Sequence, residues 1–178
     1  GKLLAQYHGA VLLFSRTKHG ARKIARMVKD MGYGACEMHS NRSLNQRREA
    51  LEGFKSGKYK VLVATDIAAR GIDVTGIELV LNYDLPDDAN NYVHRIGRTA
   101  RAGSQGHAIS FATPEQRSDV REIEKIIKVS LPISKHPEVL CEQFMSEDSP
   151  PQNHQKRSGN FRHRRHRPFS RAHSRKGG

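Results

Sequence analysis

Val61-Leu62-Val63-Ala64-Thr65-Asp66-Ile67-Ala68-Ala69-Arg70-Gly71-Ile72-Asp73 passes in one step from a continuous apolar run to a polar segment containing a glycine. Four apolar residues without alternation indicate a strand buried on both faces, the kind that builds parallel sheets. Polar groups just past such a strand lie at its carboxyl end, where ligands bind in open α/β sheets. Thr65 can donate to a phosphate oxygen, Arg70 adds a cation, Gly71 lets a ligand approach the backbone, and Asp73 can accept from a sugar hydroxyl. Each also has a plain structural role, since Asp66 can cap a helix and Gly71 can permit a turn. Alone, the stretch fits a site and a scaffold equally.

Working outward, short apolar runs alternate with helical patterns, the signature of βα units around a parallel sheet. Strands are expected at Ala10 to Ser15, Cys36 to Met38, Val61 to Ala64, Leu79 to Asn82 and Ala108 to Phe111. Helices are expected over about Thr17 to Met31, over Ser43 to Ser56 with Leu51 and Phe54 inward, over residues 90–99, and from Thr113 to Val129. Ser43 and Gln46 form a capping box, and Thr113-Pro114-Glu115-Gln116 is a helix start with proline in the first turn. The chain opens with Lys2-Leu3-Leu4 leading quickly to the first strand, and the expectation is that further sequence precedes it.

A second polar stretch, His94-Arg95-Ile96-Gly97-Arg98-Thr99-Ala100-Arg101, places arginines three residues apart. On a helix, Arg95, Arg98 and Arg101 share one side. Guanidinium forks in a row suit a transferring phosphoryl group or a nucleic-acid backbone, whereas the bland alternative is a solvated basic face.

Charge divides the chain unevenly. Residues 149–178 hold nine Lys or Arg and no acid, so +9 of the net +13 sits there and +4 is left for residues 1–148. That tail, with Phe161 and Phe169 among its arginines, has the composition of a polyanion-binding arm too polar to fold alone. Cys36 and Cys141 lack the spacing of a zinc site or a disulfide framework, and the tail histidines are too irregular for a metal site. No apolar run reaches the roughly 18 residues that span a bilayer, so the expected setting is cytoplasmic with no membrane partner. His39, before Ser40-Asn41, is expected in a loop, where contact with RNA is one reading and plain exposure the commoner one.

Taken together these stretches resemble the conserved blocks of the DEAD-box RNA helicases. Val11-Leu12-Leu13-Phe14-Ser15-Arg16-Thr17 is similar to motif IV, Ala64 through Asp73 to motif V, and His94 through Arg101 to motif VI, in the family's order. The wording of Ala64 through Asp73 and the basic tail look most like the bacterial RhlE-type branch. The resemblance covers about residues 5–130 and matches only the second of the family's two RecA-like domains. No GxxxxGK followed by Ser or Thr is present, because Gly53-Phe54-Lys55-Ser56-Gly57-Lys58-Tyr59 is one residue short. An Asp-Glu-Ala-Asp box is absent too.

The resemblance implies a RecA-like three-layer α/β/α domain with a mostly parallel sheet (1–135), a linker (136–148) and a disordered, Arg/His-rich, RNA-binding tail (149–178). It implies that Arg98 and Arg101 are catalytic and reach the γ-phosphate of ATP, one as an arginine finger. Asp73 would contact the ribose. His94, Arg95 and Asp66 would tie motifs and domains together. Arg16, Arg47, Thr65, Arg70 and Gly71 would hold the RNA backbone without reading sequence. ATP with Mg²⁺ is the implied cofactor, with Mg²⁺ and most ATP contacts on an N-terminal RecA-like domain of the same protein. That domain and RNA are the implied partners, with the ribosome or RNA-degradation machinery as larger candidates. The sequence departs twice from the family pattern: Ala100 stands where motif VI usually has Gly, and Leu44 occupies the glutamine position of the QxxR motif, removing support from Arg47.

The implied activity is therefore the C-terminal half of an ATP-dependent RNA helicase, inactive alone. Two rivals are an RNA-binding or annealing module acting through the tail, and a DNA-translocating helicase, which the motif wording disfavours.

Overall fold

The computed structural model describes residues 1–100 and 105–133. Helix α1 (Lys2–Gln6) precedes β1 (Ala10–Phe14), and then follow α2 (Lys18–Asp30), β2 (Ala35–Met38), α3 (Leu44–Lys55), β3 (Val61–Ala64) and α4 (Asp66–Ala69). The remaining elements are β4 (Ile77–Asn82), α5 (Ala89–Ile96), β5 (His107–Ser110), a 3₁₀ turn (Pro114–Gln116) and α6 (Arg117–Ile127). Five parallel strands form one sheet in the order β2-β3-β1-β4-β5, with Val11 opposite both Val61 and Leu79. This is the RecA-like α/β arrangement that the sequence implied.

Strand order and handedness dictate which face each helix covers. The chain moves one way from β1 to β2 and the other way on every later crossover, so right-handed connections put α2 opposite α3 and α4. Alternate residues on the strands divide accordingly. Val11, Leu13, Val61, Val63, Leu79 and Leu81 pack with Ala21, Ile24, Ala25 and Val28 of α2. Leu12, Phe14, Leu62, Ala64 and Val80 pack instead with Ala50 and Phe54 of α3 and with Ala68 and Ala69 of α4. A third cluster joins Ala89 and Tyr92 of α5 to Leu85 and to Ile123 of α6.

Local chemistry sets the boundaries. Thr17 caps α2 by accepting from the Gly20 N–H, and Ser43 and Gln46 form the reciprocal box that opens α3. Phe54 is buried whereas Leu51 is only partly so. Three differences from the sequence reading stand out. The opening residues, which lead into β1 at Ala10 as expected, form a short helix, α1, that the sequence reading did not include, with Leu4 buried under the α2 face. The Pro114 start gives one 3₁₀ turn before α6, which ends two residues early at the left-handed Lys128. Most consequentially, α5 stops at Ile96, so the motif VI arginines do not line one helix face.

Gly97 closes α5, the N–H groups of Arg98 and Thr99 bond three residues back, and Ala100 takes φ +54°. A left-handed backbone is unfavourable for any residue with a Cβ, which accounts for the glycine usual there in the family pattern. Ala100→Gly is expected to stabilise the domain by about 0.5–1 kcal/mol, the relief of that strain less the added chain entropy, and to raise the thermal midpoint.

Candidate functional site

The carboxyl ends of β1, β3 and β4 converge on Arg95, which is 2 % exposed. Its Nε and Nη2 donate to the two oxygens of Asp66 at 2.6 and 2.7 Å, a fork on a carboxylate. Nη1 donates to Asn82 Oδ1 at 3.1 Å and to the Asp84 carbonyl at 2.6 Å, while the guanidinium carbon lies 4.9 Å from the centre of the Phe14 ring. Asp84 in turn accepts from the Ser15 hydroxyl and the Arg16 N–H. One buried cation thus fixes the segments after three strands relative to one another.

Around it lies a concavity of about 340 Å³ lined by Asp66, Arg70, Gly71, His94, Arg95 and Arg98, among others. Gly71 has φ +77° with nothing within 4 Å of its Cβ direction, so the backbone there turns in a way other residues resist. Arg98 is half-buried and donates from Nη1 to the Ile72 carbonyl at 2.8 Å, one residue before Asp73. Asp73 itself is exposed beside this rim rather than among the lining residues. Arg101 lies outside the described residues, as do Cys141 and the tail 149–178.

The residues expected on the RNA side fall along the carboxyl edge of the sheet. Ser15 follows β1 and Thr65 follows β3 at equivalent positions, because Phe14 pairs with Ala64. Arg16 is held by Asp87 at 3.3 Å and by the Leu85 carbonyl at 3.3 Å. Thr65 heads α4 without a side-chain capping bond. Arg47, in the first turn of α3, buries an Nε that has no hydrogen-bond partner among the described residues. Leu44, whose position carries glutamine in the QxxR pattern, points into solvent, and Gln46 is already engaged in the capping box.

His39 is not exposed. Met38 and His39 continue the buried run of β2, leaving the imidazole 1 % exposed with neither ring nitrogen hydrogen-bonded. Its Nε2 is 3.7 Å from Glu37, whose carboxylate also pairs with Arg42. Burial pushes the His39 pKa below its ordinary 6.5; Glu37 opposes this, while Arg42 and Arg22 reinforce it. The unfolded chain therefore binds a proton at a higher pH than the folded one. Stability is complete above about pH 6.5 and declines as pH falls through that value. A plot of urea midpoint against pH is expected to lose part of its slope between pH 7 and 5 in His39→Gln. Burial also raises the Cys36 thiol to about 12, so it is an unreactive core group.

Asn82, Asp84 and Phe14 were not singled out in the sequence, although they complete the Arg95 site. The signal was available: Asn82 and Asp84 end the apolar run Leu79-Val80-Leu81 as Thr65 and Asp66 end that of β3. Among the described residues no group of three His, Cys, Asp or Glu could hold a metal ion, and no helix is long and apolar enough to cross a membrane.

The fold and this arginine-centred junction define a helicase C-terminal domain. The model of the family described as helicase conserved C-terminal domain matches residues 2–103, and the chain belongs to that family. Within it the chain is similar to DEAD-box RNA helicases. It is 46 % identical over 112 residues to an ATP-dependent rRNA helicase rrp3 of Sclerotinia sclerotiorum, covering 62 % of this chain and 23 % of that protein. The structure of Escherichia coli SrmB bound to regulator of ribonuclease activity A superposes with TM-score 0.69 at 33 % identity, covering 84 % of this chain and 86 % of that one. That of Saccharomyces cerevisiae Dbp5 bound to RNA and ADP BeF3 gives 0.61 at 35 %, covering 66 % and 32 %. The chain spans about a quarter of the length of the first curated relative.

Proposed function

We propose that this domain is the second RecA-like half of an ATP-dependent RNA helicase of the DEAD-box type, and that it completes an ATPase site by closing on a phosphate-loop domain of the same protein. The observation that carries this reading is the Arg95–Asp66 fork, which holds the segment after β3 and the end of α5 as one wall, with Arg70 and Arg98 beside it. Such a wall can present cations across a cleft without reorganising. Arg98 and Arg101 would face the γ-phosphate, Asp73 the ribose, and His94 the other domain. The described residues offer this half of a nucleotide site cations and an acceptor, and the sequence holds no GxxxxGK followed by Ser or Thr. When bound, ATP with Mg²⁺ supplies the phosphoanhydride whose cleavage is coupled to opening and closing of the cleft.

On the RNA side, Arg16, Arg47, Thr65, Arg70 and Gly71 would hold one strand by its phosphates, and bending of that strand would open a duplex locally. Backbone contacts make this grip largely independent of sequence. The wording of Ala64 through Asp73 favours the RhlE-type branch, and the basic residues of 149–178 would add a salt-sensitive anchor. A cytoplasmic setting follows from the same reading.

The test is reconstitution. The chain alone is expected to hydrolyse essentially no ATP with or without RNA, and addition of its N-terminal RecA-like domain is expected to restore RNA-stimulated turnover. Robust hydrolysis by the isolated chain would overturn the two-domain reading. Comparing RNA with DNA as the stimulant separates it from a DNA-translocating enzyme.

A further inference from the structure

Among the described residues, α1 and α2 cover one face of the sheet, and α2 is the one crossover on that side, so beyond α2 the carboxyl ends of β4 and β5 border an open groove of about 520 Å³. Its walls bring together Arg16, Lys23, Met27, Tyr83 and Gln116. Tyr83 is 45 % exposed, and Phe111 braces it edge-on with ring centres 6.0 Å apart and planes at 86°. The aliphatic residues Leu79, Val80 and Leu81 of β4 are buried without help from Tyr83, which follows them at the end of the strand.

Alongside the groove runs α2, Lys18-His19-Gly20-Ala21-Arg22-Lys23-Ile24-Ala25-Arg26-Met27-Val28-Lys29-Asp30. It carries five cations before its single acid. Lys18, Arg22 and Arg26 follow one another at four-residue spacing, where like charges repel. Lys18 bonds Asn41, and no carboxylate of the described residues pairs with Arg22, Lys23, Arg26 or Lys29. A stabilising surface helix interleaves its charges; this one presents a field of one sign that a polyanion would neutralise.

We propose that this groove is a second RNA-binding site, which takes a single-stranded segment leaving the Arg16–Thr65 edge. The inference rests on the RNA-helicase reading above and adds a contact to a base. Lys23 and Arg16 take phosphates, the latter already oriented by Asp87 and the Leu85 carbonyl, and a base stacks on the exposed face of Tyr83. The volume suits about one nucleotide. Stacking on an aromatic ring is tolerant of base identity, so the site extends the grip without adding a sequence code.

Fluorescein-labelled oligouridylates of six and twelve nucleotides distinguish the two sites in the full 178-residue chain. Lys23→Glu and Tyr83→Ala are each expected to weaken the twelve-mer about tenfold and to leave the six-mer within about twofold. Lys23 is exposed, so its substitution tests the site even if loss of Tyr83 disturbs Phe111. A twelve-mer carrying 4-thiouridine is expected to cross-link to Tyr83. The basic residues of 149–178 are present in every arm and cancel in the comparison. If both variants keep the wild-type twelve-mer affinity while Arg70→Ala weakens both lengths, the groove proposal falls and the RNA reading stands. Failure of the wild type to bind either length overturns both. Should Lys23→Glu instead abolish binding of a polyglutamate peptide and spare RNA, the occupant is an acidic protein segment and the proposal is overturned.

Discussion

Arg98→Ala is expected to lower RNA-stimulated ATP turnover of the reconstituted two-domain enzyme about 10³-fold, with single-strand RNA affinity and thermal midpoint close to wild type. An arginine finger contributes roughly 10³ to 10⁵ in rate by neutralising charge that develops only in the transition state. Arg98 is half-buried and donates from Nη1 to the Ile72 carbonyl, a contact that water can replace. That bond has a second use: it holds the guanidinium beside the residue preceding Asp73, at the rim of the concavity. Lysine has neither the fork nor the reach to keep both interactions, so Arg98→Lys is expected to recover little activity. A variant that binds RNA and ATP normally yet turns over at more than a tenth of the wild-type rate would remove Arg98 from the chemistry. Steady-state ATPase assays with saturating RNA, beside equilibrium RNA titrations, measure both quantities.

Arg95→Ala is expected to act on stability instead, by about 3–5 kcal/mol, the range for removing one partner of a buried ion pair. The substitution leaves Asp66, Asn82 Oδ1 and the Asp84 carbonyl without their donor and opens a space against Phe14. Urea unfolding followed by tryptophan is not possible, because the sequence has none, so circular dichroism is the appropriate probe. Arg95→Lys is expected to retain less than half of the lost stability, since an ammonium cannot donate in parallel to both Asp66 oxygens. In a double-mutant cycle with Asp66→Ala, the two changes are expected to be non-additive by about 1–3 kcal/mol. Additivity would mean that the fork contributes nothing, and the rigid wall proposed above would lose its basis.

The strands were legible because buried parallel strands have an unmistakable composition: Val61-Leu62-Val63-Ala64 is both the clearest run in the sequence and β3 to the residue. The capping box at Ser43 and Gln46 was equally readable, being a local interaction with a fixed spacing. Motif VI was harder. Extending a 3.6-residue period through Gly97 treats Arg95, Arg98 and Arg101 as equivalent, whereas the chain leaves the helix after Ile96 and sends Arg95 into the core and Arg98 to the rim. Spacing cannot foresee this, because the partner that draws Arg95 inward, Asp66, comes from the start of α4, 29 residues away. His39 was misplaced for a related reason. A polar residue beside Ser40-Asn41 suggests a loop, but the pairing of Met38 with Ala64 carries the next residue into the interior.

The position of β1 at the centre of the sheet constrains how the chain acquires its structure. Although β1 is made first, its neighbours are β3 and β4, so Val11 waits for Val61 and Leu79, some fifty or more residues later. The strand pairs nearer in sequence, β2 with β3 and β4 with β5, leave β1 as the weld between two halves. Loop-closure entropy must therefore be met before the central contacts form, and folding is slower than helix formation alone would allow. During synthesis an apolar strand with both edges unpaired stays exposed until β3 and then β4 emerge, a window in which association with other chains competes with completion of the domain.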